Sequence, residues 1–202
     1  LGTVVSASEL VMPFKFSLSK FWDDIERYSC TWFSAVPTLF SYLLNDKTAI
    51  FTKKPKLKFA RSASAPLSPD IHVRFEKRFS VPIIETMGLT ETGAQILSNP
   101  MPPKRRKIGS PGKPIGNEIM IGDYNQNPVS NGTMGEILVR GKNVMLGYLK
   151  QPKESAKTIT KEGWLRTGDI GYADSDGFIF VKARIKELII KGGENISPRE
   201  ID

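Results

Sequence analysis

The sequence predicts an α/β chain: a layered, parallel-type sheet with helices, followed by an antiparallel, barrel-like β subdomain. Three observations carry this. Up to Pro100, apolar strand-like runs alternate with stretches of helical periodicity, the pattern of a largely parallel sheet. Beyond Pro100, Gly and Pro become frequent and short strand-like runs crowd together. Asn131-Gly132 and Asp176-Gly177 then mark hairpin turns. The expected division is residues 1–105 for the α/β part, 106–183 for the β part, and 184–202 for a further unit that is only begun.

In chain order, residues 3–7 read as a short strand. Ser17 or Ser19 caps a helix in which Leu18, Phe21, Trp22, Ile25 and Tyr28 recur at helical spacing, with Asp23, Asp24, Glu26 and Arg27 opposite. Residues 32–36 form a second strand, and Pro37 opens a helix with Leu39, Phe40, Leu43 and Leu44 apolar. A basic link, 53–58, leads to a strand at 58–62 and a small-residue turn at 62–66. Ser68 caps the next helix, with Ile71, Phe75 and Phe79 inward, and residues 81–84 form a buried strand. In the second part, strands are expected at 118–121, 135–140, 178–181 and 188–190, with one short helix after Pro152.

The chain of 202 residues is 40% hydrophobic, enough to bury a core. No apolar run is long enough to span a bilayer, and a single cysteine, Cys30, allows no internal disulfide framework. These features fit a reducing, cytoplasmic setting. Cys30 lies in an apolar stretch and reads as a buried, inert thiol. His72 reads as a surface residue, because no Cys or second His exists to share a metal or a triad. The net charge is +8 and the pI about 9.5. Basic residues are spread out except at Lys104-Arg105-Arg106-Lys107, which reads as a solvated loop in the absence of interleaved aromatics.

Three stretches carry chemistry. Residues 85–95, Glu-Thr-Met-Gly-Leu-Thr-Glu-Thr-Gly-Ala-Gln, follow a buried strand with two hydroxyls, a carboxylate and two glycines. Such a turn stands where α/β sheets place ligands: Thr bonds phosphate oxygens, Glu holds Mg²⁺, and Gly admits a ligand close to the backbone. Residues 163–171 place Asp169 in a Gly-bounded turn, where a carboxylate can accept two hydrogen bonds from a ribose diol. Both stretches can equally be polar turns without a ligand. Residues 184–201 read as a charged entry, an apolar strand, a Gly-Gly turn and a capping box with Ser197, Pro198 and Glu200. Gly109-Ser-Pro-Gly-Lys113 has the wrong spacing for a phosphate loop, and Asp123-x-Asn125-x-Asn127 lacks the Gly and the closing Glu of a calcium loop.

Together these stretches resemble the adenylate-forming (AMP-dependent synthetase and ligase) superfamily, in its acyl- and aryl-CoA synthetase branch. Residues 87–91 resemble its aromatic-Gly-x-Thr-Glu motif, 164–169 its ribose motif, 61–69 its adenine loop, 141–148 a further recurring segment, and 184–201 its hinge and first C-terminal hairpin. The resemblance implies part of the large N-terminal domain of such an enzyme and the start of its small C-terminal domain. It implies that Thr90 bonds the α-phosphate, Glu91 holds Mg²⁺, and Asp169, assisted by Arg184, binds the ribose. Ser64, Ala65 and Pro66 would sandwich the adenine against Thr86 and Met87, with Glu85 in the same nucleotide site. Val36, Pro37, Gly88, Leu89 and Ala94 would border the acyl pocket, and Lys186 would be the hinge residue. The implied cofactors are ATP, Mg²⁺ and CoA, and the implied substrate is a fatty or aromatic carboxylic acid, with no nucleic acid as partner.

Met87 stands where the family has Tyr, Ala63-Ser64 where it has Gly-Gly, and Ala183 where it has Gly. The family's phosphate loop and its C-terminal lysine are not in the sequence, so the chain is expected to be an internal piece, inactive by itself. Two other readings stay open at this point: an amino-acid-activating domain of a peptide synthetase, and a non-catalytic basic module that binds nucleic acid or an acidic partner through residues 104–107.

Overall fold

The computed structural model describes residues 5–47, 56–93, 95–187, 189–191 and 194–196. Its first sheet has the order β1 (Trp32–Ala35), β2 (Phe59–Ser62), β3 (Ile83–Gly88), β4 (Gln95–Ser98) and β5 (Lys113–Pro114). β1, β2 and β3 are parallel, in register Ser34↔Arg61 and Arg61↔Ile84, and β4 and β5 add antiparallel strands at one edge. Parallel neighbours require crossover connections, which α2 (Pro37–Asn45) and α3 (Pro69–Phe79) supply. Both helices open on a proline in the first turn, where its missing N–H is no loss. Ser17 and Ser68 hold the N-cap positions of α1 (Leu18–Arg27) and α3, but neither side chain makes a capping hydrogen bond.

The three helices cover one face of β1–β3. Ile25, Phe40, Leu43, Phe75, Phe79 and Ile83 form this core, and Phe33 and Ala35 point into it from β1. Leu18, Phe21 and Trp22 pack on it from α1, with Trp22 and Phe79 rings 4.7 Å apart. Cys30 also packs there, and burial pushes its thiol pKa up, as expected of an inert thiol. Strand alternation sends Trp32, Phe59 and Arg61 to the other face, where the Trp32 and Phe59 rings stack at 5.4 Å.

The second sheet is an antiparallel meander of β6 (Glu118–Gly122), β7 (Gly135–Arg140), β8 (Leu165–Ala173) and β9 (Ile179–Arg184). The helix expected after Pro152 is α4 (Pro152–Thr158). Gly132 and Gly177, at φ +83° and +78°, occupy the hairpin turns between β6 and β7 and between β8 and β9. A final antiparallel pair, β10 (Ile189–Lys191) and β11 (Glu194–Ile196), pairs Lys191 with Glu194. The Gly192-Gly193 turn and the Ser197 capping box lie outside the described residues.

The two layers share β4. Its Ile96 and Leu97 are fully buried in a second core with Ile121, Ile137, Val139, Leu165 and Ile179. The first sheet reaches Pro114 and the second begins at Glu118. At the junction, Ser110 Oγ donates to the Ile179 carbonyl at 2.5 Å, and Gly112 pairs with Ile179. Gly112 has φ +104°, and a Cβ there would lie 1.9 Å from the Ser98 carbonyl carbon, so only glycine lets the two backbones meet.

Three expectations need correction. Residues 5–7 are a helical residue and a turn rather than a strand. β3 does not stop at Ile84 but runs on through Gly88, because β4 turns back to pair with it, so the polar turn is confined to residues 89–93. Asp169 lies inside the nine-residue β8 and not in a turn, because Gly168 forms a bulge at φ +73° without ending the ladder.

Candidate active site

A cavity of about 630 Å³ opens where β2 and β3 end, the place an α/β sheet offers a ligand. Its wall is built from segments far apart in sequence. The turn after β2 contributes Ser64, Ala65 and Pro66; β3 and its turn contribute Glu85, Thr86, Met87, Gly88, Leu89, Thr90 and Glu91; the second sheet contributes Asp169 and Arg184. All the residues expected to bind nucleotide therefore face one space. Val36, Pro37 and Lys186 lie off this wall, with Lys186 exposed on a 3₁₀ turn at Ile185–Glu187, and Ala94 is outside the described residues.

The turn after β3 separates its two threonines. Thr92 is fully buried; its hydroxyl donates to the Leu89 carbonyl at 2.9 Å and accepts from the Leu89 N–H at 3.2 Å, which closes the 3₁₀ turn Thr90–Thr92. Gly93, at φ +62°, lets the chain leave it. Thr90 stays open to the cavity. Glu91 is half-buried, and Tyr148 Oη donates to its Oε1 at 2.8 Å. That bond to a carboxylate, first among its causes, raises the Tyr148 pKa.

Asp169 is held differently. It is 8% exposed, its register partner across β8 and β9 is Arg184, and Arg184 Nε stands 3.5 Å from Oδ1. The backbone around it is pinned by Glu136 of β7. Glu136 Oε1 accepts the Gly168 N–H at 3.1 Å, and Oε2 pairs with Arg166 at 2.9 Å. Thr167 Oγ1 bridges the Ile137 carbonyl at 2.7 Å and the Asp169 N–H at 3.0 Å.

His72 is 1% exposed, contrary to its surface reading. It falls on the inward face of α3 at the same helical spacing as Phe75 and Phe79, which is the signal that reveals it. Nδ1 meets Glu85 Oε1 at 2.9 Å and Nε2 meets Glu76 Oε1 at 3.1 Å. Both ring nitrogens face carboxylate oxygens, an arrangement that favours the doubly protonated, charged ring. Burial pulls its pKa down, but the two carboxylates outweigh burial and the pKa is raised. Glu76 is pushed up by burial yet held at about 2 by His72, Arg106 and the Ile83 N–H. Glu85 Oε1 also accepts the Gly109 N–H at 3.2 Å, so this cavity-wall carboxylate is braced from behind.

Of the basic run at 104–107, Arg106 joins this bracing, while Arg105 and Lys107 pair with acidic residues of the β8–β9 turn. Arg106 bonds Glu76 at 2.5 Å and the Ile83 carbonyl at 2.8 Å, Lys107 pairs with Asp174 and Asp176 at 2.5 and 2.6 Å, and Arg105 reaches Asp176 at 3.7 Å. Among the described residues no helix is long and apolar enough to cross a membrane.

The donor set suits magnesium. Among the described residues no three His, Cys, Asp or Glu side chains form a metal cage; the cavity wall carries Glu85, Glu91, Asp169 and Glu187, of which Glu91 neighbours Thr90 on the turn after β3. Mg²⁺ is commonly held by one or two carboxylates plus waters and substrate phosphates, whereas a protein-only metal cage needs more ligands.

A Thr-Glu turn thus stands opposite an Asp-Arg pair across a cavity at the strand ends. The chain belongs to the AMP-binding enzyme family, whose profile matches residues 1–149. It is 48% identical over its whole length to the sulfoacetate–CoA ligase of Cupriavidus necator, and 43% identical to the oxalate–CoA ligase of Saccharomyces cerevisiae. Those matches cover 39% and 37% of the relatives, so the chain spans well under half the length of the curated proteins it resembles. The O-succinylbenzoate coenzyme A synthetase of Bacillus subtilis, solved with ATP and magnesium ion, superimposes with a TM-score of 0.85 at 32% identity, over 98% of this chain and 41% of that one. The similarity is to the CoA-ligase branch of the superfamily.

Proposed function

We propose that the protein to which this chain belongs joins a carboxylic acid to coenzyme A at the expense of ATP. The observation that carries this is the convergence of Ser64–Pro66, Thr90, Glu91, Asp169 and Arg184 on one cavity. In the first step a carboxylate oxygen attacks the α-phosphorus of ATP, and the bond to pyrophosphate breaks. In the second, the thiol sulfur attacks the carbonyl carbon of the acyl-adenylate and AMP leaves. Thr90 donates to the α-phosphate, and Asp169 accepts from the ribose hydroxyls with Arg184 holding its orientation. Ser64–Pro66 and Thr86-Met87 flank the adenine, with Glu85 behind them. Glu91 is the residue that would hold Mg²⁺, whose charge neutralises the phosphates when it is bound. Lys186 serves as the hinge residue, and Val36, Pro37, Gly88, Leu89 and Ala94 border the acyl pocket.

The acid is proposed to be short and to carry a second anionic group. Arg61, on the open face of β2 next to the cavity wall, donates from Nε to Thr86 Oγ1 at 3.2 Å and has no carboxylate partner among the described residues. Burial lowers its pKa, so its charge is partly removed from water without a counter-ion, a cost that an anionic substrate group would offset. The relatives named for sulfoacetate and oxalate act on acids of that type, while the succinylbenzoate enzyme keeps the aromatic class in view.

The test is pyrophosphate release by the full-length protein against short dianionic acids, fatty acids of graded length and aromatic acids. Short dianionic acids are expected to be the best substrates, and Arg61→Met to cut kcat/KM for them about tenfold to a hundredfold while sparing monoanionic acids. Preference for a fatty or simple aromatic acid would overturn the substrate class. Absence of ATP-dependent pyrophosphate release with every acid would overturn the function.

A further inference from the structure

Glu91 is placed by a segment more than fifty residues downstream, and the functional reading of that segment rests on the ligase proposal above. The loop between β7 and α4 crosses the Thr90–Thr92 turn and touches it at three points. Met145 N–H donates to the Glu91 carbonyl at 2.8 Å, Asn143 Nδ2 donates to the Thr92 carbonyl at 3.2 Å, and Tyr148 Oη donates to Glu91 Oε1 at 2.8 Å. The first two bonds locate the backbone. The third acts on the carboxylate itself.

The backbone of Tyr148 is in turn held by α4. Its N–H donates to Ser155 Oγ at 2.8 Å, and Ser155 Oγ donates to the Gln151 carbonyl at 2.9 Å, which ties the loop to the first turns of α4. Gly147 makes this possible: at φ +146° a Cβ would stand 2.9 Å from Ser155 Oγ, so a side chain there would push the loop off the helix.

We propose that Tyr148 is a positioning residue for metal–nucleotide binding. By donating to one oxygen of Glu91 it removes the rotational freedom of the carboxylate and presents the other oxygen to a hard divalent cation. A carboxylate without such a partner must be ordered when the ion binds, and loss of an outer hydrogen-bond partner typically weakens metal affinity by about 10- to 100-fold.

The test uses the full-length protein and Mn²⁺ as a spectroscopic stand-in for Mg²⁺. Binding of Mn²⁺·ATP is followed by the loss of the free Mn²⁺ paramagnetic resonance signal, and ATP binding in EDTA by equilibrium dialysis. Tyr148→Phe is expected to weaken Mn²⁺·ATP binding about tenfold and to leave ATP binding in EDTA unchanged. In a Glu91→Gln background, Tyr148→Phe is expected to have no further effect on either. Equal Mn²⁺·ATP affinity in wild type and Tyr148→Phe would overturn the proposal, and so would an equal loss with and without metal, which marks a purely structural role. Failure of the wild-type protein to bind ATP under either condition would instead overturn the ligase reading.

Discussion

Two of the carboxylates that line the cavity, Asp169 and Glu91, are held in opposite ways. Asp169 sits within a nine-residue strand, almost buried, with neighbouring strands bonded on both sides and its ion-pair partner Arg184 directly across the ladder. Glu91 sits on a three-residue 3₁₀ turn, half-buried, and borrows its support from the loop that ends in Tyr148. A residue fixed by a sheet shares the stability of the sheet, so its support cannot be removed without cost to the fold. A residue fixed by one side-chain hydrogen bond can lose that bond while the fold stays intact.

Glu136→Ala tests the first half of this contrast and is the largest effect expected. It leaves the Gly168 N–H and the Arg166 guanidinium without their carboxylate, at a cost of about 2–3 kcal/mol. Urea unfolding of the variant is expected to show that loss together with weaker nucleotide binding. Tyr148→Phe is its counterpart: metal–nucleotide affinity falls while unfolding is changed by less than about 1 kcal/mol, as expected for a half-exposed hydrogen bond. Equal stability losses in the two variants would erase the distinction.

The brace behind Glu85 gives a smaller effect, visible in the pH dependence. The folded-state pKa of His72 is raised above 6.5, so its pairing with Glu76 and Glu85 contributes fully below about pH 6.5 and is lost as pH rises through the folded value. Glu76 is depressed from 4.5 to about 2, so its contribution is present above about pH 4.5 and is lost as pH falls toward 2. The network therefore contributes most between about pH 4.5 and 6.5. Unfolding free energies measured from about pH 5 to 9 should decline on the alkaline side, and His72→Gln should remove that decline. An unchanged slope in the variant would show that His72 does not carry it.

The smallest effect is expected at Ser64. It lies on the cavity wall at φ +75°, a conformation that costs a non-glycine residue about 1 kcal/mol or more. Ser64→Gly removes that strain but loosens the unfolded chain, so a net gain of about 0.5 kcal/mol is expected in thermal unfolding. A loss of stability would mean that the Ser64 side chain, and not the backbone, shapes the loop.

Much of the nucleotide wall was legible in the sequence. Thr90, Glu91 and Asp169 were named from local patterns and Ser64–Pro66, Glu85–Met87 and Arg184 through the family resemblance, and all line the cavity. The first three stood out because each lies in a polar, Gly-bounded stretch. The support behind them was not found. Tyr148 was one residue in a recurring segment, with nothing local to pair it with Glu91 at a separation of 57 residues. His72 was misplaced because the absence of a metal or triad partner was taken as a sign of exposure, while its helical phase with Phe75 and Phe79 points inward.

What the sequence determined by itself is therefore local: the alternation of strands and helices in the first layer, the hairpin turns of the second, and the polar residue types that line the cavity. These follow from periodicity and side-chain chemistry over a few neighbouring residues. The tertiary structure decided where β3 ends, that Asp169 stands in a strand, that β4 serves two cores, and which distant side chains hold Glu91 and Glu85. Each of those depends on contacts between segments far apart in the chain, whose formation is set by packing and hydrogen-bond satisfaction across the whole fold rather than by any one stretch of it.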